Sequence, residues 1–341
     1  MNERIGGWVL SVVVIGGLVS GCALSPPKEK KPEEKFREAT LHNFKGQYYE
    51  GRNKVDAAIR EYRKAIALVP NQPEPHLNIG ICYIKLGEYE LGVEHLEKSL
   101  RLDPTQYAGY YSLGIAYEIL GRGEEAERAY RRSMFDQETR IPAMINLANM
   151  MDRRGRREEA IQLMQRAAGE KPASSIIHSN LGSLLEKDDQ LNRALTELRL
   201  ATQLDPGNAQ AFNNLGVIYK RLGDRGRAIT AFREAIKIEE GHLVARNNLG
   251  QSLLETGAYE EALEQYEIIL QIRPDYAPAY RDSGHCYAAL NRLAEALAAY
   301  DSYLRLLPDA PDATKIRAEM QTLTGEDEGR KIKDGNEKRE P

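Results

Sequence analysis

A 34-residue register runs through this chain eight times without insertion or gap, from Ala39 to Ala310. A fixed period of that length belongs to a helical solenoid rather than to a domain with one central core. The eighth place of each unit is always small: Gly46, Gly80, Gly114, Ala148, Gly182, Gly216, Gly250 and Gly284. Twelve residues on come Ala58, Gly92, Ala126, Ala160, Ala194, Ala228, Ala262 and Ala296. Four beyond those stands a bulky residue, Tyr62, Leu96, Tyr130, Met164, Leu198, Phe232, Tyr266 or Tyr300. Apolar places recur at three- and four-residue steps, which is the helical period and not that of a strand. The pattern predicts two antiparallel helices per unit, touching at the small residues, with the large ones filling the space beside the crossing.

Punctuation falls in the same register. Pro70, Pro104, Pro172, Pro206, Pro274 and Pro308 occupy the thirty-second place, where a ring without an N–H cannot continue a helix; Glu138 and Glu240 replace it in units three and six. Gly87, Gly121, Gly155, Gly223 and Gly257 at the fifteenth place are expected to end the first helix of five units in the left-handed conformation. This set resembles the tetratricopeptide repeat family, whose W-x2-L-G-x2-Y, A-x3-F, P pattern is met from residue 39 to 310. The resemblance implies an all-α, right-handed superhelical solenoid of eight helix-turn-helix repeats. An amphipathic stretch from Ala313 to Leu323 is expected to close it as a capping helix over 311–324. The first unit has His42 and Lys45 where the pattern has an aromatic residue and a leucine, and reads as a frayed or capping unit.

The two ends are of another kind. Arg4 precedes an apolar run from Ile5 to Val19, followed by Val19-Ser20-Gly21-Cys22, which reads as a signal peptide over 1–21. Those last four residues resemble the bacterial lipobox, which implies cleavage before Cys22 and acylation of that cysteine. Three acyl chains exceed the two signals that stable anchoring requires. By resemblance to Gram-negative lipoproteins, Ala23 in place of Asp implies the outer membrane, periplasmic side, with the inner membrane as the open alternative. Residues 22–38, rich in Pro, Lys and Glu, are expected to be a disordered tether, and 325–341 a disordered charged tail.

A net charge of −4 lacks the basic excess of a phosphate-backbone binder, so nucleic acid is not an expected partner. Cys82 and Cys286 lie six units apart, too far for an intramolecular bridge, and read as small buried residues. Of the six histidines, His42, His76 and His178 take the fourth place, which belongs to a packing aromatic. No metal-ligand spacing, phosphate loop or nucleophile elbow is present, and the reading is of a chain with no enzyme activity, cofactor, metal or small-molecule substrate.

The sixth place defines a surface. It reads Phe44, Asn78, Ser112, Asn146, Asn180, Asn214, Asn248 and Asp282, and on a helix it points away from the core places. Asparagine is a poor helix former, so five of them need a reason. Two reasons stand: a bridge between neighbouring repeats, or a concave ladder of amides, Asn78 to Asp282, matched to the backbone of an extended peptide. In the second reading the chain resembles the asparagine-lined solenoid of O-linked N-acetylglucosamine transferases. The lysines with which chaperone-binding members of the family hold a C-terminal carboxylate are absent from places two and five. Arg153, Arg154, Arg156 and Arg157 around Gly155 read as a solvated turn, with anionic headgroups as the alternative contact. Met134, Met144, Met150, Met151 and Met164 read as packing residues.

Taken together these features predict a lipid-anchored adaptor of the bacterial cell envelope. Its partners are envelope proteins, which offer extended or helical segments to the concave face. The design resembles the pilotin lipoproteins that assist type IV pilus secretins; adaptors for peptidoglycan hydrolases and for polysaccharide export share it. An enzyme or its regulatory subunit is the reading of a different class.

Overall fold

The computed structural model describes residues 30–337, and all regular structure among them is helical. Eight antiparallel pairs follow one another: α1 (Pro32–Glu50) with α2 (Val55–Leu68), α3 (Pro73–Leu86) with α4 (Tyr89–Leu102), α5 (Tyr107–Ile119) with α6 (Gly123–Ser133), and α7 (Gln137–Arg153) with α8 (Arg157–Glu170). Then come α9 (Ser175–Lys187) with α10 (Leu191–Leu204), α11 (Ala209–Arg221) with α12 (Arg225–Ile238), α13 (Leu243–Thr256) with α14 (Tyr259–Ile272), and α15 (Ala277–Ala289) with α16 (Leu293–Leu306). A seventeenth helix, α17 (Ala313–Glu337), packs on α16. Each helix contacts the next, and successive odd-numbered helices also contact one another, whereas even-numbered ones make no comparable contact. Odd helices therefore line the inner, concave side of a superhelical all-α solenoid, and even helices its outside.

The close crossing follows from the eighth and twenty-fourth places of one unit. A Cβ built on Gly216 would lie 2.5 Å from the Phe232 ring, and one on Gly114 2.5 Å from the Tyr130 ring. The bulky residue occupies the volume the glycine leaves empty, and Tyr62, Tyr130, Phe232, Tyr266 and Tyr300 are fully buried in this way. Only the fourth unit has alanine at the eighth place, and there the partner is the flexible Met164. The core is a continuous ribbon from Val93 to Cys286 with smaller clusters at the two ends, so stability is shared between neighbouring units.

All eight fifteenth places are left-handed, not five. Besides the glycines, Asn53, Asp189 and Asn291 adopt φ of 57°, 60° and 59°. Asn and Asp are the non-glycine residues that tolerate this region best.

Several boundaries differ from expectation. α1 starts inside the stretch read as tether, because Pro32 fits a first helical turn and Glu33 and Glu34 face its dipole. The first unit is accordingly a complete helix pair. Where Glu138 replaces proline, α7 begins at Gln137, and Asp136 caps it by accepting from the Glu138 and Thr139 amides at 3.0 and 2.9 Å. At the far end α17 runs on to Glu337, past residue 324 and into the stretch read as a disordered tail. The predicted signal peptide over 1–21, Cys22 and the first part of the tether lie outside the described residues. Among the described residues no helix is long and apolar enough to cross a membrane.

Candidate functional site

The inner face is built by couplings 35 residues apart, one more than the period, which join an odd helix to the one before it at five of the seven junctions between units. Near the helix starts, Asn78 donates through Nδ2 to Asn43 Oδ1 at 3.0 Å, Asn146 to Tyr111 Oη at 3.1 Å, and Asn248 to Asn213 Oδ1 at 2.9 Å. Three of the five sixth-place asparagines thus bridge repeats. The other sixth-place residues act differently. Ser112 returns its hydroxyl hydrogen to the Ala108 carbonyl of its own helix, and Asn214 Oδ1 accepts from Gln210 at 2.7 Å. Asn180 is half-buried and has no hydrogen-bond partner among the described residues.

Asp282 is the charged member of the row and is only 3% exposed. Its carboxylate accepts from Arg281 Nε at 2.8 Å, and Arg281 reaches on to Asp312 at 3.2 Å, tying the eighth unit to the start of α17. Gln251 Nε2 also approaches Asp282, at 3.4 Å. A buried carboxylate is tolerable here because a guanidinium is bonded to it.

Near the helix ends a second row runs from the twelfth place of one unit to the thirteenth of the next. Lys85 pairs with Glu50 at 2.5 Å, Arg153 with Glu118, Lys187 with Asp152 at 2.6 Å, and Arg221 with Glu186 at 2.6 Å. Between units six and seven the polarity reverses, with Lys220 facing Glu255 at 2.8 Å. Burial would raise the Asp152 pKa, but hydrogen bonds from Lys187 and Arg157 outweigh it and hold the carboxyl below its usual range. At the two remaining junctions the same places hold Ile84 with Ile119 and Leu254 with Ala289. The inner rim is therefore internally neutralised, and between its charges lie amides and exposed aliphatics such as Ile119, Ile176 and Val244.

The remaining sequence candidates take structural places. His178 Nδ1 meets Glu197 at 2.6 Å and its Nε2 the Pro172 carbonyl at 2.9 Å; His42 meets Glu61 at 2.6 Å. These carboxylate partners lie on the second helix of the unit, 19 residues away, beyond the spacing at which a sequence motif shows them. In the second unit the partner is another histidine: His76 and His95 meet Nδ1 to Nδ1 at 3.1 Å. Arg246 takes the corresponding place in the seventh unit, with Nε on the Glu240 carbonyl at 2.9 Å and Nη1 on Gln265 at 2.9 Å. Cys82 and Cys286 are buried and unbridged, and burial pushes both thiols up to about 12, which leaves them unreactive. Arg153, Arg156 and Arg157 are each paired with a carboxylate, of Glu118, Glu127 and Asp152 respectively. Met144, Met150, Met151 and Met164 are buried in the core and Met134 packs against it. No group of His, Cys, Asp and Glu among the described residues could hold a metal ion.

Comparison with known proteins follows this geometry. Models described as tetratricopeptide or TPR repeats match residues 46–87, 73–106, 143–174, 187–223, 213–277 and 249–321. Among solved structures, the APC/C hetero-tetramer Cut9–Hcn1 aligns with 85% of this chain at 17% identity and a TM-score of 0.58; the chain spans 56% of the matched one. YrrB, described as a TPR protein with an unusual peptide-binding site, aligns with 54% of this chain and 95% of its own at 24% identity and a TM-score of 0.45. No curated protein sequence matches. With repeat models matching well over half of the chain, and small, bulky and left-handed places occupied as the period requires, the chain belongs to the tetratricopeptide repeat family.

Proposed function

We propose that this chain is a protein–protein interaction scaffold, tethered through acylated Cys22 to a membrane of the bacterial cell envelope, that takes an extended segment of a partner along its inner face. The observation that carries this reading is the inner rim itself. Its ion pairs are satisfied within the chain, so a partner gains little from charge, while half-buried Asn180 and the 60% exposed side chain of Ile176 lie side by side for backbone and aliphatic contacts. A groove preorganised by 35-residue couplings loses little affinity to ordering the receptor. Asn180 and Asn214 are the ladder members to test, because Asn146 and Asn248 also hold repeats together. The process served, from the resemblance in design, is assembly of an envelope complex such as a type IV pilus secretin.

The test is photocrosslinking in the native cell, with a benzoylphenylalanine at position 180 on the inner face and, separately, at 233 on the outer helix α12. Adducts with envelope proteins from 180 and not from 233 are expected. Equal labelling from both sites, or none from 180 in a folded protein, refutes the inner-face reading. The anchor is tested apart from it: Cys22→Ser should abolish acyl labelling and membrane fractionation.

A further inference from the structure

Among the described residues the solenoid is capped at one end only. At its C-terminus α17 covers the eighth unit, burying Ala313 and Ile316, but nothing among the described residues covers α1. The third and tenth places of a unit are where an odd helix meets the unit before it. Every residue at those places in the seven later units is buried, from Pro75 and Cys82 in the second to Ala279 and Cys286 in the eighth. In the first unit they are Leu41 and Tyr48, 52% and 55% exposed, with Phe44 between them at 61%. Spacings of three and four residues put these three on one stripe of α1. A terminal repeat of a freely dissolved solenoid carries polar residues on such a face. Beside the stripe, Phe36, Leu68, Val69 and Pro70 line a groove of about 870 Å³ that is mostly apolar.

Charge and chain length indicate what covers the face. From residue 28 to 54 there are eight Lys and Arg against five Glu, whereas the whole chain has a net charge of −4. The Arg52 guanidinium lies 3.6 Å from the centre of the Tyr48 ring. Aromatic and aliphatic side chains flanked by cations are the composition of a helix lying in a membrane interface. Lys30 follows Cys22 by eight residues, which at full extension reach about 28 Å.

We propose that the terminal stripe of α1, Leu41, Phe44 and Tyr48, rests on the lipid surface to which Cys22 is anchored. The end of the solenoid is then seated on the membrane rather than swinging on a tether, and the inner face projects away from the bilayer. This proposal rests on the anchor reading above.

The experiment uses the full chain, isolated with its acyl modification and reconstituted in vesicles of phosphatidylethanolamine and phosphatidylglycerol with a bromine-labelled phosphatidylcholine. Processing before Cys22 removes Trp8, the one tryptophan of the sequence, so Phe44→Trp supplies the only reporter. Phe135→Trp, in the equally exposed turn between α6 and α7, is the control. The Phe44→Trp emission should shift to the blue and fall by about half, as for a side chain at the headgroup–acyl boundary, and the control should stay unquenched. A chain that floats with the vesicles while both reporters are unquenched overturns the proposal and leaves the anchor standing. The same holds if Phe44→Trp is unquenched and sedimentation shows a dimer, since a second copy then covers the stripe. A chain that keeps Trp8 and does not float refutes the anchor, and this proposal with it.

Discussion

The Tyr266 hydroxyl is buried without a partner because Leu254 occupies the place from which a glutamate accepts in two other units. Tyr62 donates to Glu50 at 3.0 Å and Tyr130 to Glu118 at 2.9 Å, each glutamate standing 12 residues earlier at the end of the first helix. The same substitution should therefore act with opposite signs. Removing a buried orphan hydroxyl by Tyr266→Phe should leave stability unchanged or raise it by about 1 kcal/mol, whereas Tyr130→Phe takes the donor from one oxygen of Glu118, the other staying with Arg153, and should cost about 1 kcal/mol. Urea unfolding followed by circular dichroism decides it; a loss of equal size in both variants contradicts the pairing.

The crossing of two helices in a unit can be tested by moving one pair's chemistry to another. A Cβ on Gly216 would stand 2.5 Å from Phe232 Cε1 and 2.6 Å from Cδ1, so Gly216→Ala should cost about 1–3 kcal/mol. The natural pair Ala148 and Met164 shows how the clash is avoided. Phe232→Met added to Gly216→Ala should recover part of the loss, read as a positive coupling in a double-mutant cycle. Strict additivity would mean that the two places do not share one volume.

Stability should fall on mild acidification through the second unit. His76 donates from Nε2 to the Pro70 carbonyl at 2.9 Å, which leaves its Nδ1 to accept from His95 Nδ1 at 3.1 Å. Burial lowers the pKa of both rings below about 6.5, against the Pro70 carbonyl bond at His76 and Glu94 at His95; Lys98 lowers both further, and His76 and Arg63 also lower His95. The unfolded chain then takes up protons that the folded chain refuses, so stability is full above about pH 6.5 and declines as pH falls from there toward the depressed folded values. His95→Glu recreates the pairing of His42 with Glu61 and of His178 with Glu197, and an imidazolium beside a carboxylate should flatten or reverse the slope. Hydrogen exchange of α3 amides at pH 7.5 and 5.5 measures it; identical pH profiles in the two proteins would exclude the histidine pair as the cause.

How much of this was legible in the sequence depends on the distance over which each residue acts. The pairing of eighth and twenty-fourth places is steric and internal to one unit, so Gly216 and Phe232 announce it by size alone. The bridges from Asn78 to Asn43 and from Lys85 to Glu50 are offset by one residue from the period, which a repeat alignment hides because it compares each place only with itself. Their signal was present in the fifth-place amides Asn43 and Asn213 and in the acid–base alternation of places twelve and thirteen. Asp136 was a visible helix start once proline had gone from residue 138, yet the expected boundary followed the period. The unfinished face at Leu41 and Tyr48 was harder to see, because these residues look like ordinary core until the structure shows that no unit precedes them among the described residues.

The turn between paired helices offers the most direct test of backbone strain. No atom lies within 4 Å of a Cβ built on Gly223, so Gly223→Ala meets no obstacle and its cost, about 1 kcal/mol, comes from φ of 81° alone. Asn53 already carries a side chain at φ 57° in the same place, and Asn53→Gly should relieve part of that strain, for a gain of a few tenths to about 1 kcal/mol. Asp189→Gly relieves the same strain at φ 60° but removes the carboxylate that Arg221 holds at 2.6 Å. Asp189 is largely exposed and such a pair contributes at most about 1 kcal/mol, so the net change should lie near zero and below that of Asn53→Gly. Thermal midpoints of the three variants at low and high salt separate the two terms, since screening weakens only the ion pair and should raise the Asp189→Gly variant relative to the parent.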